Sequence, residues 1–156
     1  MAFNVFVSYS ATDSFRIKPI LELLKKIPDV EIFFAEESIN PGSEVSKTIA
    51  NSIRGCNFFL VFYSAAARVS NYVQQEIGLA KASSKMIIPI LLDGTRPDAM
   101  LSGINYVDLS DSAKVQSEFN RLYGFITSNV QQQQQIKVIG LVALAILAGL
   151  AIFGKE

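Results

Sequence analysis

Two periods of hydrophobicity share the first 128 positions of the chain. Short continuous apolar runs alternate with longer stretches in which apolar residues recur every three or four positions. The runs at Asn4–Ser10 (NVFVSYS), Val30–Phe34, Asn57–Tyr63 (NFFLVFY) and Met86–Leu92 (MIIPILL) predict strands, with a short fifth at Tyr106–Leu109. Asn57–Tyr63 is apolar on both faces, as a strand in the middle of a parallel sheet must be. Pro89 inside the fourth run cannot donate to a ladder, so it predicts an edge position or a bulge there.

Between these runs the spacing is helical. Ile17, Ile20, Leu21 and Leu24 form one apolar stripe, with Thr12 or Asp13 as cap and Pro28-Asp29 as stop. Val45, Ile49 and Ile53 form a second, capped by Ser43 and stopped by Gly55. Ser70 caps a third that runs through Ile77 and Ala80, and 113–128 is the last amphipathic helix. Glu36–Gly42, closed by Pro41-Gly42, and Ala65–Arg68 read as loops. Strands alternating with helices predict an α/β fold, a doubly wound five-stranded parallel sheet with right-handed crossovers. In that architecture ligands bind beyond the C-terminal ends of the strands. Ser8–Asp13, Ala35–Glu44, Ser64–Ser70 and Asp93–Pro97 are therefore the segments to inspect.

The tail has a different pattern. Gln131–Gln135 is a polar tract that reads as a linker over 129–135, and Val138–Phe153 then carries no charge. At about 1.5 Å per residue that stretch covers roughly 24 Å, so a span of the roughly 30 Å hydrocarbon core needs Ile136 and a snorkelling Lys137 at one end and Lys155 at the other. The expectation is a single-pass transmembrane helix over 136–154, with the preceding domain in the cytoplasm. The other reading is a core helix docked on the domain. Ala145 and Gly149 form a small-xxx-small pair that suits helix self-association.

Charge and composition narrow the chemistry. Fourteen basic and 14 acidic residues leave no net charge, which argues against nucleic acid as a partner. The chain contains no His, so a Ser-His-Asp triad, a Cys-His dyad and a His-ligated metal site are all excluded. Cys56 is the only cysteine and reads as a small buried hydrophobe in a reduced compartment. A strand-like run almost at the first residue leads to the expectation of no signal peptide. The turn after the first strand reads SYSATDS, with no G-x-G-x-x-G, and neither a P-loop nor a G-x-S-x-G elbow occurs. Tyr63-Ser64 closes the third strand where a phospho-acceptor receiver would place an Asp.

Three segments taken in order resemble those of the TIR (Toll/interleukin-1 receptor) domain. Phe6–Asp13 (FVSYSATD) resembles its first box, Ile39–Glu44 (INPGSE) the x-x-P-G of its second, and Ser70–Lys81 (SNYVQQEIGLAK) the S-x-W-x-x-x-E helix of its NAD-cleaving, prokaryotic branch. The resemblance covers 4–128 and implies the flavodoxin-like TIR fold over 1–128. It also implies cleavage of the nicotinamide–ribose bond of NAD to nicotinamide and ADP-ribose or a cyclic ADP-ribose-type signal, in antiviral defence. By position Glu76 falls on the family's catalytic glutamate, Tyr72 where the family usually has Trp, and Ser70 on its helix-opening serine. Ser8, Tyr9 and Ser10 at the exit of the first strand are candidates for substrate contact, and Asn40 and Gly42 belong to a loop that shapes the site. NAD enters as substrate, with no cofactor and no metal. Self-association through the domain is implied too.

The reaction suits a chain without His. Nicotinamide departs from NAD as a neutral molecule, so no general acid has to protonate it. The transition state is an oxocarbenium ion, and one fixed carboxylate beside the ribose stabilises it. Val73, Ile77 and Ala80 form the buried stripe of the Ser70 helix, and Tyr72, Glu76 and Leu79 an adjacent ridge. Glu76 therefore lies beside the buried stripe, at a crevice rim, although a solvated surface glutamate fits the same spacing. A different class of function also stays open, a non-enzymatic adaptor that acts by TIR–TIR assembly at a membrane. A third is a tail that damages the membrane when the domain triggers it.

Overall fold

In the computed structural model, which describes residues 2–35 and 45–153, five parallel strands stand in the order β2-β1-β3-β4-β5. They are β1 (Phe3–Ser8), β2 (Val30–Phe34), β3 (Phe58–Tyr63), β4 (Met86–Leu91) and β5 (Val107–Asp108). The helices are α1 (Ser14–Leu24), α2 (Val45–Gly55), α3 (Ala65–Val69), α4 (Asn71–Ala82) and α5 (Val115–Phe153). The chain divides into two units, Met1–Tyr123 and Gly124–Glu156.

The first unit is the doubly wound sheet that the alternating pattern predicts. Each of Phe58–Tyr63 is buried, because β3 has β1 on one side, β4 on the other and helices over it. On the face that carries α2 and α4, Phe6, Phe59, Val61 and Tyr63 pack with Ile53, Val73, Ile77 and Ala80. Phe6 and Phe59 are register partners on neighbouring strands, and their rings stack 5.6 Å apart at 5°. Side chains alternate along a strand, so Ser8 lies on the same face as Phe6, toward α4. Cys56 is buried in this core, as expected, and burial pushes its thiol pKa up against the opposing pull of Lys85.

Three expectations are corrected. The segment read as a loop at Ala65–Arg68 is helix α3, for the Ser64 hydroxyl accepts the Ala67 amide hydrogen and starts a turn that three alanines continue. Pro89 sits neither on an edge strand nor at a bulge. β4 keeps unbroken register with β3 from Met86 to Leu91, whereas its pairing with β5 begins only at Ile90. The β5 side of Pro89 is thus locally unpaired, which is where a missing N–H does least harm.

The tail is the third. No break separates 128 from the residues beyond it, since α5 runs from Val115 through the glutamines to Phe153. Glutamine is a good helix former, and neither Gly nor Pro lies between Phe125 and Ile139 to stop the helix. The polar tract is therefore helical. Among the described residues no helix is long and apolar enough to cross a membrane. The transmembrane helix expected over 136–154, and with it the membrane location, is not supported. The uncharged stretch reaches roughly 24 Å against a core of roughly 30 Å, and the same helix continues into five glutamines before it. From Ile136 to Leu147 the large apolar side chains are each more than half exposed.

Candidate functional site at the C-terminal edge of the sheet

The loops leaving β1, β3 and β4 meet at one edge and are pinned by polar contacts. Ser64, after β3, donates to the Asp13 carboxylate at 2.5 Å, and the Arg16 guanidinium lies 3.5 Å from the other oxygen of Asp13. Asp13 sits at the start of α1 without capping it, because its carboxylate is spent on these contacts. Arg16 also donates to the Leu92 carbonyl at 2.9 Å, holding the end of β4. Asp93 accepts from the amides of Ala65 and Thr95. Burial alone would raise its pKa; these hydrogen bonds and Arg16 lower it below the ordinary aspartate range.

Tyr63 closes β3, with its hydroxyl donating to Asp98 at 2.6 Å, and Asp98 pairs with Arg68 at 2.7 Å. Burial, then the hydrogen bond and negative charge of Asp98, push the phenol pKa up to about 12, against the pull of Arg68. A pKa raised on folding means that the contact stabilises the fold below the ordinary tyrosine value, near 10, and that this contribution is lost as pH rises through about 12. In an absorbance titration Tyr63 is expected to ionise near pH 12, and Tyr63→Phe to remove that step. A step near pH 12 that survives in Tyr63→Phe would refute the assignment.

Glu76 lies one helical turn into α4 from Tyr72. α4 begins after Ser70, whose hydroxyl accepts the Val73 amide hydrogen at 3.3 Å and so fixes the helix start. Val73, Ile77 and Ala80 bury the face expected of them. Glu76 goes further in than the rim position the spacing suggested, for only 9 % of it is exposed. Its carboxylate accepts a hydrogen bond from the hydroxyl of Ser8, a residue 68 positions earlier and itself 1 % exposed. Tyr72 is 62 % exposed.

The other expected residues separate. Tyr9 is half-buried, with its ring 6.3 Å from that of Phe34 at the end of β2. Ser10 is buried, and its hydroxyl pairs with that of Thr12 at 3.1 Å within the turn that opens α1. Asn40 and Gly42 lie outside the described residues. The structure thus brings Ser8 and Glu76 together, with Tyr72 on the same helix. Sequence reasoning missed two contacts that hold the surrounding loops, Asp13 with Ser64, which is buried, and Tyr63 with Asp98, which is partly buried. A cavity of about 490 Å³ lies elsewhere, among Arg16, Pro19, Leu92, Leu109 and Phe119, and none of the expected residues lines it.

A parallel sheet of this order with its polar cluster beyond the strand ends defines an α/β protein of the flavodoxin-like type. The family model for the TIR domain matches residues 5–123, and the chain belongs to that family. Solved structures agree in fold. The TIR domain of the Toll-related receptor TRR-2 from Hydra magnipapillata has 20 % identity and a TM-score of 0.67, covering 78 % of this chain and 96 % of that one. The TIR domains of the activated Roq1 resistosome, which recognises the pathogen effector XopQ, have 13 % identity and a TM-score of 0.59, covering 80 % and 99 %. The CMP N-glycosidase BcmB of Clostridium botulinum has 22 % identity and a TM-score of 0.54, covering 76 % and 97 %. No curated protein matches the chain in sequence.

Proposed function

We propose that this TIR domain is an NAD glycohydrolase or cyclase whose catalytic group is Glu76. The observation that carries the proposal is a buried carboxylate at the working edge of the sheet, held by Ser8 and one turn from the exposed ring of Tyr72. A surface glutamate with only a structural role has no need of that burial. The fold likeness to a CMP N-glycosidase supports the reading, because that enzyme too is named for cleaving an N-glycosidic bond.

In the proposed reaction the nicotinamide–ribose bond breaks with its electron pair leaving on the pyridinium nitrogen, and nicotinamide departs neutral. Positive charge gathers on the ribose C1′ and ring oxygen, beside the carboxylate of Glu76. In a site shielded from water that charge is stabilised more strongly than it would be at the surface. Water then adds to C1′ and releases a proton to give ADP-ribose, or a nucleophile within the ADP-ribose closes a ring. Tyr72 supplies an aromatic face to the departing ring. Depletion of NAD, or production of a cyclic signal, would serve antiviral defence.

An adaptor acting by TIR–TIR assembly is the second reading, and one observation favours assembly. Phe15, Val69 and Tyr72 all lie in the first turns or last turns of helices at the C-terminal edge and are more than half exposed. Assembly is compatible with the enzyme as well. Purified full-length protein at high concentration, incubated with NAD and followed by chromatography with mass detection, separates the two. Nicotinamide release by the wild type and none by Glu76→Ala supports the enzyme, and the second product tells hydrolase from cyclase. No consumption of NAD by the assembled wild type overturns the enzyme reading in favour of the adaptor.

A further inference from the structure

We infer that Ser8 is a positioning residue for the Glu76 carboxylate, a role that differs from the substrate contact its place at the strand exit suggests. The inference rests on the NAD-cleaving reading above. The hydroxyl of Ser8 has one proton to give, and it gives that proton to Glu76 Oε2. Both groups are at least nine-tenths removed from solvent, so water does not replace this donor if it is lost.

The backbone under each partner explains the need for the contact. α4 fixes the Cα of Glu76 through the buried residues Val73, Ile77 and Ala80, but three side-chain torsions still separate that Cα from the carboxylate. Ser8 has a single torsion, and its strand is held on both flanks, by the Val7–Phe34 register with β2 and the Ser8–Val61 register with β3. The rigid partner therefore fixes the flexible one. A carboxylate already held where positive charge develops does not have to be ordered during the reaction, and a displacement of about 1 Å at such a group costs on the order of 10²-fold in rate.

The test compares Ser8→Ala and Ser8→Thr with wild type in full-length protein, NAD being the substrate. Ser8→Ala is expected to lower kcat roughly 10- to 100-fold while KM stays within about twofold, since a positioning group acts on the transition state. Ser8→Thr keeps the hydroxyl on a residue that suits a strand, and is expected to recover most of the lost kcat. A separate readout needs no turnover. The ¹³C resonance of the Glu76 side-chain carboxyl, assigned by its disappearance in Glu76→Gln, is expected to shift in Ser8→Ala and to return toward its wild-type position in Ser8→Thr. An unchanged kcat in Ser8→Ala, a rise in KM alone, or an unmoved carboxyl resonance overturns the inference. Wild-type protein that releases no nicotinamide instead overturns the NAD-cleaving reading, and the carboxyl resonance still decides whether Ser8 holds Glu76.

Discussion

Glu76→Gln is expected to lower nicotinamide release from NAD by at least roughly 10³-fold, which corresponds to about 4 kcal/mol of transition-state stabilisation. The amide has the shape of the carboxylate and its oxygen still accepts the Ser8 proton, so the packing around α4 is kept. The full negative charge is what disappears. With 9 % of Glu76 exposed, little solvent is at hand to supply a substitute for that charge beside the ribose. Binding of NAD draws on the whole dinucleotide, so the loss is expected in kcat and not in KM. The check is initial-rate kinetics at saturating NAD, together with a melting curve that stays within a few degrees of wild type. A variant that keeps a tenth or more of the activity would remove Glu76 from the catalytic role.

The contrast between Glu76 and its surroundings shows what the sequence of this chain can and cannot reveal. The spacing of Val73, Ile77 and Ala80 places Glu76 beside a buried stripe, because side chains three and four apart share a helix face whatever lies opposite. It does not say what lies opposite. The contact with Ser8 joins residues 68 positions apart, and only the register of β1 with β3 brings them together. Asp13 with Ser64 and Tyr63 with Asp98 are contacts of the same kind, each made across the C-terminal edge between elements distant in the chain. Polar residues that end strands look alike in sequence whether they cap a turn or hold a catalytic group.

The strands were legible for the opposite reason. An interior parallel strand must be apolar on both faces, so Asn57–Tyr63 declares itself without reference to its neighbours. α3 was hidden because Ala65–Arg68 has no apolar stripe, and a five-residue helix rests on its Ser64 cap and on alanine's propensity. The glutamine tract reads as a linker by composition, and its five residues, which favour helix, continue the helical stretches on either side of them. The uncharged tail suggests a membrane span by its composition, but among the described residues no helix is long and apolar enough to cross a membrane.

Phe59→Ala is expected to destabilise the first unit by about 3–5 kcal/mol, the range for removing a fully buried Phe from a core. Phe59 is 0 % exposed in the central strand, and its ring stacks on Phe6 across the β1–β3 ladder. Alanine leaves a cavity between the helices and two strands whose backbones are pinned by hydrogen bonds on both sides, so the site cannot close up around it. Set against a total of roughly 5–15 kcal/mol for a domain, that loss is a fifth or more. Phe15→Ala is the matched control. The same atoms are removed at a position 73 % exposed, where the change is expected to stay within about 0.5 kcal/mol. Urea unfolding of the full-length protein measures both: the midpoint of Phe59→Ala falls by at least roughly 1 M with its slope unchanged, and that of Phe15→Ala does not move. The effect reaches the site as well, because Phe6 pairs with Phe59 two residues before Ser8 pairs with Val61. Where the core is opened, the strand end that carries Ser8 loses its footing, and the proposed NAD cleavage is expected to decline below the unfolding midpoint. Equal midpoints for the two variants would mean that the stacked pair is not at the centre of the core.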